Sequence, residues 1–209
     1  MLRLAHAVLG ATLALSFLAP ALAEDSTPDV LVKRTVEEVL AILRSDKQVQ
    51  AGNVERIAKL MEEKVAPHFD FARMTRLAVG RSWRDATPEQ RETLTREFRN
   101  LLVRSYSAAF SFYAGITVEY RPFRANPGDR DATVNTLIRL PGNAQPIAID
   151  YDLSQTDQGW KVYDVRIDGA SLVINYRNLF SQEIQRGGIE GLIKSLIEKN
   201  SGALPTASR

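Results

Sequence analysis

The chain has 209 residues, of which 27 are lysine or arginine and 25 are aspartate or glutamate, giving a net charge of +2. The basic residues are scattered, so the chain lacks the basic surface of a nucleic-acid-binding protein, and we expect no nucleic-acid partner. It has no cysteine, which excludes disulfides, thiol nucleophiles and cysteine-based metal sites.

Residues 1–23 are expected to be a signal peptide. Arg3 precedes an apolar stretch over 4–18, Pro20 ends this stretch, and Ala21-Leu22-Ala23 has the small-x-small pattern that signal peptidase recognises. The stretch is shorter than the roughly 20 residues that span a bilayer. We therefore expect an exported, soluble protein in which residues 24–200 form one domain and residues 201–209 form a disordered tail.

Apolar residues at helical spacing predict three helices in the region before residue 81. The first is capped by Thr27, the second runs from its cap at Asn53 to Pro67, and the third runs from Asp70 to Gly80.

The longest predicted helix begins at a capping box. Thr87 and Gln90 have the required spacing, and Pro88 occupies the first helical position. An apolar stripe continues to Tyr113, which predicts a helix of about 39 Å.

The pattern changes to strict alternation from Ile116 onward. Four alternating segments, near 116–121, 134–140, 147–153 and 160–167, are separated by short turns that contain glycine. This pattern is typical of an antiparallel meander. Helical spacing then returns over 172–184 and again after Gly187-Gly188. The sequence therefore predicts an α+β fold, in which about six to seven helices wrap one curved four-stranded antiparallel sheet.

Few residues are suited to catalysis or metal binding. His68 is the one histidine after residue 23, and we expect it to be structural or solvent-facing. Asp150 and Asp152 flank Tyr151 on one strand, so both are expected on the solvent side of the sheet. With no G-x-S-x-G motif and no set of metal ligands, we expect neither an enzyme nor a metal site.

Six segments spread over nearly the whole domain resemble the MlaC family, also called the toluene-tolerance auxiliary family. These are FARM at 71–74, VGRSW at 79–83, ATPEQR at 86–91, LLVRSY at 101–106, WKVYDV at 160–165 and GASLVINYR at 169–177. Ser105 is a small departure, where the family has threonine.

The resemblance implies a periplasmic phospholipid carrier that helps to maintain outer-membrane lipid asymmetry. Its partners would be an outer-membrane lipoprotein–porin complex and an inner-membrane ABC transporter with an MCE-domain subunit. The protein would act as a monomer, with phospholipid as cargo and no cofactor. A sister branch of the family implies a hopanoid-related cargo as an alternative.

The resemblance also implies an apolar cavity between the sheet and the helices. The residues expected to contact lipid are Tyr106, Phe110, Tyr113, Ile149, Tyr151, Val165, Ile167, Leu172, Val173 and Tyr176. Arginine pairs well with phosphate, so the expected contacts with a headgroup or a partner are Arg81, Arg84, Arg166 and Arg177. Two further alternatives stay open: an envelope adaptor that carries no lipid, and a small α+β enzyme.

Overall fold

The structure, a computed structural model, describes residues 27–110, 115–126, 128–142 and 145–202. Six α-helices lie in these ranges: α1 (Pro28–Ser45), α2 (Lys47–Gln50), α3 (Val54–Leu60), α4 (Phe71–Val79), α5 (Pro88–Phe110) and α6 (Leu172–Ser201). A π-helical turn (Met61–Val65) and a 3₁₀ turn (Ala66–His68) extend α3, and a second 3₁₀ turn (Gly80–Arg84) follows α4.

Side-chain caps are present at three of the four predicted helix starts. The exception is Thr27, which precedes Pro28 of α1 but forms no side-chain cap hydrogen bond. Asn53 accepts a hydrogen bond from the Arg56 amide, and Asp70 accepts one from the Arg73 amide. The capping box is reciprocal: the Thr87 amide donates to Gln90 Oε1 at 2.9 Å, and the Gln90 amide donates to Thr87 Oγ1 at 3.2 Å. These bonds satisfy amides that no helical carbonyl can reach.

The sheet is an antiparallel meander with the strand order β1-β2-β3-β4-β5. The strands are β1 (Thr117–Tyr120), β2 (Asp131–Arg139), β3 (Ile147–Thr156), β4 (Gly159–Ile167) and β5 (Ala170–Ser171). The sequence predicts only four. The fifth, of two residues, forms because Asp168 and Gly169 both have positive φ, and such a tight turn folds the chain back onto the end of β4.

The register of the sheet places one apolar face towards the helices. Ile149 of β3 pairs with Thr136 of β2 and Ile167 of β4, and Tyr151 pairs with Val165. A β-bulge between Asp152 and Leu153 then shifts the pairing of β3 with β4. Bulges bend a strand and increase its twist, so this one adds to the curvature of the sheet.

The core of the described residues has three clusters, one of which joins Leu31 and Val32 of α1 to Leu153 and Val162 of the sheet. A helical cluster, formed by α4, α5 and α6, has Phe98 at its centre, with Leu94, Phe180 and Leu192 packed around it. A second region lies between α1, α3 and the apolar face of the sheet, where Leu43 and Ile57 are buried. The apolar face of α1 therefore packs on the sheet, whereas α6 packs mainly on other helices.

Helix α6 is kinked at Gly188, whose φ of +64° is not helical. This confirms the break that Gly187-Gly188 predicts, although the helix does not end there. After the kink, the Asn200 side chain donates to the Glu97 carbonyl oxygen at 2.9 Å, which fixes the second half of α6 against α5. Within the described ranges, no helix combines the length and hydrophobicity that crossing a bilayer requires.

Candidate functional site

An apolar cavity of about 250 Å³ lies between the sheet and the helices. Helices α1 and α5 and the π-helical and 3₁₀ turns line one side, and strands β1 to β4 line the other. The side chains are almost all aliphatic or aromatic, and the exceptions are Thr35, His68 and the hydroxyl groups of Tyr106 and Tyr151. Such walls offer hydrocarbon contacts along most of the surface and few hydrogen bonds.

Helix α1 forms the longest wall because its apolar stripe faces the sheet. Leu31, Thr35, Val39 and Leu43 recur at intervals of four residues and all line the cavity. The 12 residues from the first to the last rise by about 18 Å at 1.5 Å per residue. The cavity is therefore elongated along α1.

The structure places six of the ten predicted contact residues on the wall of this cavity. These are Tyr106, Ile149, Tyr151, Val165, Ile167 and Leu172. Ile167 is 40% exposed, so its side chain lies both on the wall and at the surface. Phe110 and Tyr113 were also predicted to line it, and the side chain of Phe110 and the whole of Tyr113 lie outside the described residues.

Val173 and Tyr176 lie in the helical cluster, away from the described cavity wall. The Tyr176 ring meets the Phe98 ring edge to face, with centroids 4.8 Å apart. Burial there raises the pKa of Tyr176 to about 12. Both residues follow Leu172 on α6, whose first turn leads from the cavity into the helical cluster.

The sequence-based list of contact residues includes none of the α1 wall. Val32, Val36, Val39, Leu40 and Leu43 show the helical spacing of an apolar face, which indicates burial but does not indicate which space the face encloses. The pairing of the strands also places Val118 and Ile138 on the cavity wall.

The four predicted arginine contacts are not among the residues that line the cavity. Arg81, Arg84 and Arg177 are exposed on the side of the helical cluster. Arg177 lies across Gly80, where a Cβ would come within 3.3 Å of its Nε, so a larger residue would displace the guanidinium. Gly80 also has a φ of +68°, which favours glycine.

Arg166 pairs with two carboxylates on the opposite face of the sheet. Its guanidinium lies 2.9 Å from Asp152 Oδ2 and 3.7 Å from Asp150 Oδ2. The Asp152 carboxylate also accepts a hydrogen bond from Thr133 Oγ1 at 2.6 Å and is only 8% exposed. The expectation that Asp152 lies in solvent is therefore wrong, because cross-strand neighbours cover it.

We expect Arg166→Gln to lower the free energy of unfolding by about 1 to 3 kcal/mol, because Asp152 would lose its charged partner while staying buried. Urea denaturation would measure this effect, with the exposed Arg84→Gln as control. An Arg166→Gln protein as stable as wild type would show that Arg166 adds no net stability beside Asp152.

His68 lines the cavity and is half-buried, which the sequence does not indicate. Burial lowers the pKa of His68, and the nearby charges of Lys161 and Arg34 lower it further, whereas Glu38 opposes them. The imidazole is therefore neutral at pH 7 and can both donate and accept a hydrogen bond. Within the described ranges, no group of three histidine or acidic side chains is arranged to hold a metal ion.

The lowered pKa of His68 predicts a pH dependence of stability. Because the pKa of His68 is lower in the folded state than in the unfolded state, the unfolded state binds a proton more readily as the pH falls. The free energy of unfolding therefore decreases as the pH drops below about 6.5. We expect wild type to lose more stability than His68→Gln between pH 7.5 and 5.5. Urea titrations at each pH would measure this, and parallel losses in both proteins would contradict it.

Comparisons with known proteins agree on one family. A family model described as MlaC protein matches residues 33–198. Toluene tolerance protein ttg2D of Pseudomonas putida is 28% identical over 165 residues, which are 78% of this chain and 75% of that protein. Among solved structures, a phospholipid-binding protein from Ralstonia solanacearum in complex with a phospholipid is 38% identical, with a TM-score of 0.77, over 83% of this chain and 96% of that chain.

Proposed function

The chain belongs to the MlaC family, and from this membership and the apolar cavity we propose that it is a phospholipid carrier. The observation that carries the proposal is the cavity between α1 and the sheet, whose walls are almost entirely hydrocarbon. A similar chain, 38% identical, forms a complex with a phospholipid. A site of this composition suits acyl chains.

The energetics of lipid transfer explain why such a cavity is needed. Moving a methylene from a bilayer into water costs about 0.8 kcal/mol, so two chains of roughly 15 carbons cost on the order of 20 kcal/mol. A protein that replaces the bilayer contacts removes most of this cost. Leu40, Val103 and Ile138 are typical of the side chains that would supply these contacts.

The volume of the cavity sets a condition on how lipid is held. About 250 Å³ lies below the 300–1,000 Å³ typical of ligand pockets, and two acyl chains require the upper end of that range. Loading a two-chain lipid therefore requires the walls to separate. Helix α1 is the wall that can separate from the sheet. It precedes the sheet in sequence, and only side-chain packing, not strand pairing, joins α1 to the sheet.

The proposal places the carrier in the periplasm, released there by cleavage after residue 23. It would exchange phospholipid, as a monomer, between an outer-membrane lipoprotein–porin complex and an inner-membrane ABC transporter with an MCE-domain subunit. Support comes from the family membership and from the signal-peptide pattern of residues 1–23. A binding protein in this role performs no catalysis, which agrees with the apolar character of the site.

Lipid analysis of the native protein tests the proposal. The full chain would be expressed in its own host, purified from the periplasmic fraction without detergent, extracted with organic solvent and analysed by mass spectrometry. We expect about one phospholipid per protein. A protein that contained no lipid and accepted none from phospholipid vesicles would overturn the carrier proposal, and a polycyclic triterpenoid in place of phospholipid would redirect it to a hopanoid-related cargo.

A further inference from the structure

The polar groups of the cavity wall are unevenly distributed. Thr35 of α1 and His68 of the 3₁₀ turn lie near the end formed by Leu31 and Val162. Arg34 and Lys161 are both close enough to the His68 ring to lower its pKa. Neither cation lines the cavity: Arg34 is the exposed neighbour of Thr35 on α1, and Lys161 is the partly buried neighbour of Val162 on β4. We call Thr35 and His68, together with these two flanking cations, the polar end of the cavity.

The Thr35 hydroxyl is buried and has no hydrogen-bond partner among the described residues. A threonine in a helix usually donates to the carbonyl four residues earlier, as Thr75 and Thr95 do here at 2.6 and 2.8 Å. Burying an unpaired hydroxyl is unfavourable. A hydrogen-bond acceptor on a ligand in the cavity would satisfy Thr35.

The two cations of the polar end are free to bind an anion. Within the described ranges, neither Arg34 nor Lys161 forms an ion pair, and the nearby carboxylate of Glu38 is bound by Lys64 Nζ at 2.6 Å. Lys161 Nζ donates to the Pro67 carbonyl oxygen at 2.6 Å, which holds the ammonium group beside His68. An ammonium group has three donors, so two remain available.

The opposite end of the cavity differs in chemistry. Leu43, Ile116, Ile138 and Ile149 surround it, and all four are aliphatic. Such walls suit the methyl ends of acyl chains. The cavity wall thus changes from polar at Thr35 to aliphatic at Leu43, which lie about 12 Å apart along α1.

We propose that the polar end binds the glycerol ester and phosphodiester groups of the cargo, with Thr35 and His68 donating to ester oxygens and Arg34 and Lys161 pairing with the phosphate. This inference rests on the proposed carrier function and adds an orientation to it. The headgroup lies beside the 3₁₀ turn at Ala66–His68, and the acyl chains extend along α1 towards Leu43. All glycerophospholipids have this phosphate, so a site that recognises it does not discriminate between different headgroups.

A double variant separates phosphate binding from chain binding. Arg34→Gln/Lys161→Gln and wild type would be delipidated, refolded and titrated with dioleoylphosphatidylglycerol and with dioleoylglycerol, which has the same chains but no phosphate. We expect the affinity for the phospholipid to fall at least tenfold, because charged hydrogen bonds to phosphate are lost, and the affinity for dioleoylglycerol to change less than about twofold. Arg84→Gln/Lys47→Gln removes the same charge from exposed positions outside the cavity and should bind both lipids as wild type does.

The outcomes distinguish the inference from the function on which it rests. If the double variant binds the phospholipid as tightly as wild type, the polar end does not hold the phosphate, although the carrier proposal stands. Equal losses for both lipids would show a general effect on the cavity and would also overturn the inference. If wild type binds neither lipid, the carrier proposal itself fails.

Thr35→Val provides an independent test. Valine has nearly the same shape and removes an unpaired hydroxyl, so the lipid-free protein should melt at the same temperature as wild type or slightly higher. Affinity for dioleoylphosphatidylglycerol should nevertheless fall about fivefold. Unchanged affinity would show that Thr35 does not contact the lipid.

Discussion

Replacing Ile149 with glutamate is expected to remove phospholipid from the purified protein. Ile149 lies on the sheet wall of the cavity, at the aliphatic end that Leu43 and Ile138 also surround. A carboxylate there would be desolvated by an acyl chain and would find no cation among the aliphatic walls, at a cost of several kcal/mol. We expect phospholipid affinity to fall on the order of 100-fold or more, measured by lipid content per protein and by uptake from vesicles.

Leu137→Glu is the matched control. Leu137 pairs with Ala148, the neighbour of Ile149, and faces away from the cavity near Glu119 and Arg139. The new carboxylate would be hydrated there, so lipid content should match wild type. Circular dichroism would establish that both variants are folded. Full lipid content in a folded Ile149→Glu protein would show that this cavity is not the site of the acyl chains.

Phe98→Ala is expected to cause the largest loss of stability. Phe98 is fully buried in the helical cluster, and its ring contacts those of Tyr176 and Phe180 with centroids 4.8 and 5.0 Å apart. Truncation of a buried phenylalanine removes these contacts and leaves a cavity, at a cost of about 3 to 5 kcal/mol. Urea denaturation followed by circular dichroism would measure the change in the free energy of unfolding.

Leu179→Ala, next to Phe180 on α6, is the control for this substitution. Leu179 is 52% exposed, so its truncation should change the free energy of unfolding by no more than about 0.5 kcal/mol. The molecules of Phe98→Ala that remain folded should still bind phospholipid, because Phe98 does not line the cavity. A loss of less than 1 kcal/mol would mean that the helical cluster is packed differently from this structure.

Local signals in the sequence predict most of the helices, although Thr27 forms no cap bond and α2 was not predicted. The caps at Asn53 and Asp70, the capping box at Thr87 and the break at Gly188 each depend on residues within a few positions of one another. Bonds of this kind form between chain neighbours in whatever tertiary context surrounds them. The family resemblance is likewise confirmed by the match over 33–198, whereas the periplasmic location and the transport partners stay predictions.

The candidate site is harder to predict because it depends on contacts between distant segments. The spacing of apolar residues predicts that both Tyr176 and Ile149 are buried. In the structure, however, Tyr176 packs on Phe98, whereas Ile149 lines the cavity. The bulge at Asp152 and the ion pair of Asp152 with Arg166 arise from strand register, which the alternation pattern does not fix. Thr35 and His68 have no motif, so only the fold brings them to the same cavity.

The kink in α6 makes the core depend on the last described residues of the chain. Residues after Gly188 supply Leu192, Ile193 and Leu196 to the helical cluster, although they follow every strand and every other described helix in the chain. A chain that ended at Gly188 could form every strand of the sheet, but Leu94 and Phe98 would lose part of the cover that buries them. The last turns of α6 are therefore as much a part of the core as the helices that precede the sheet.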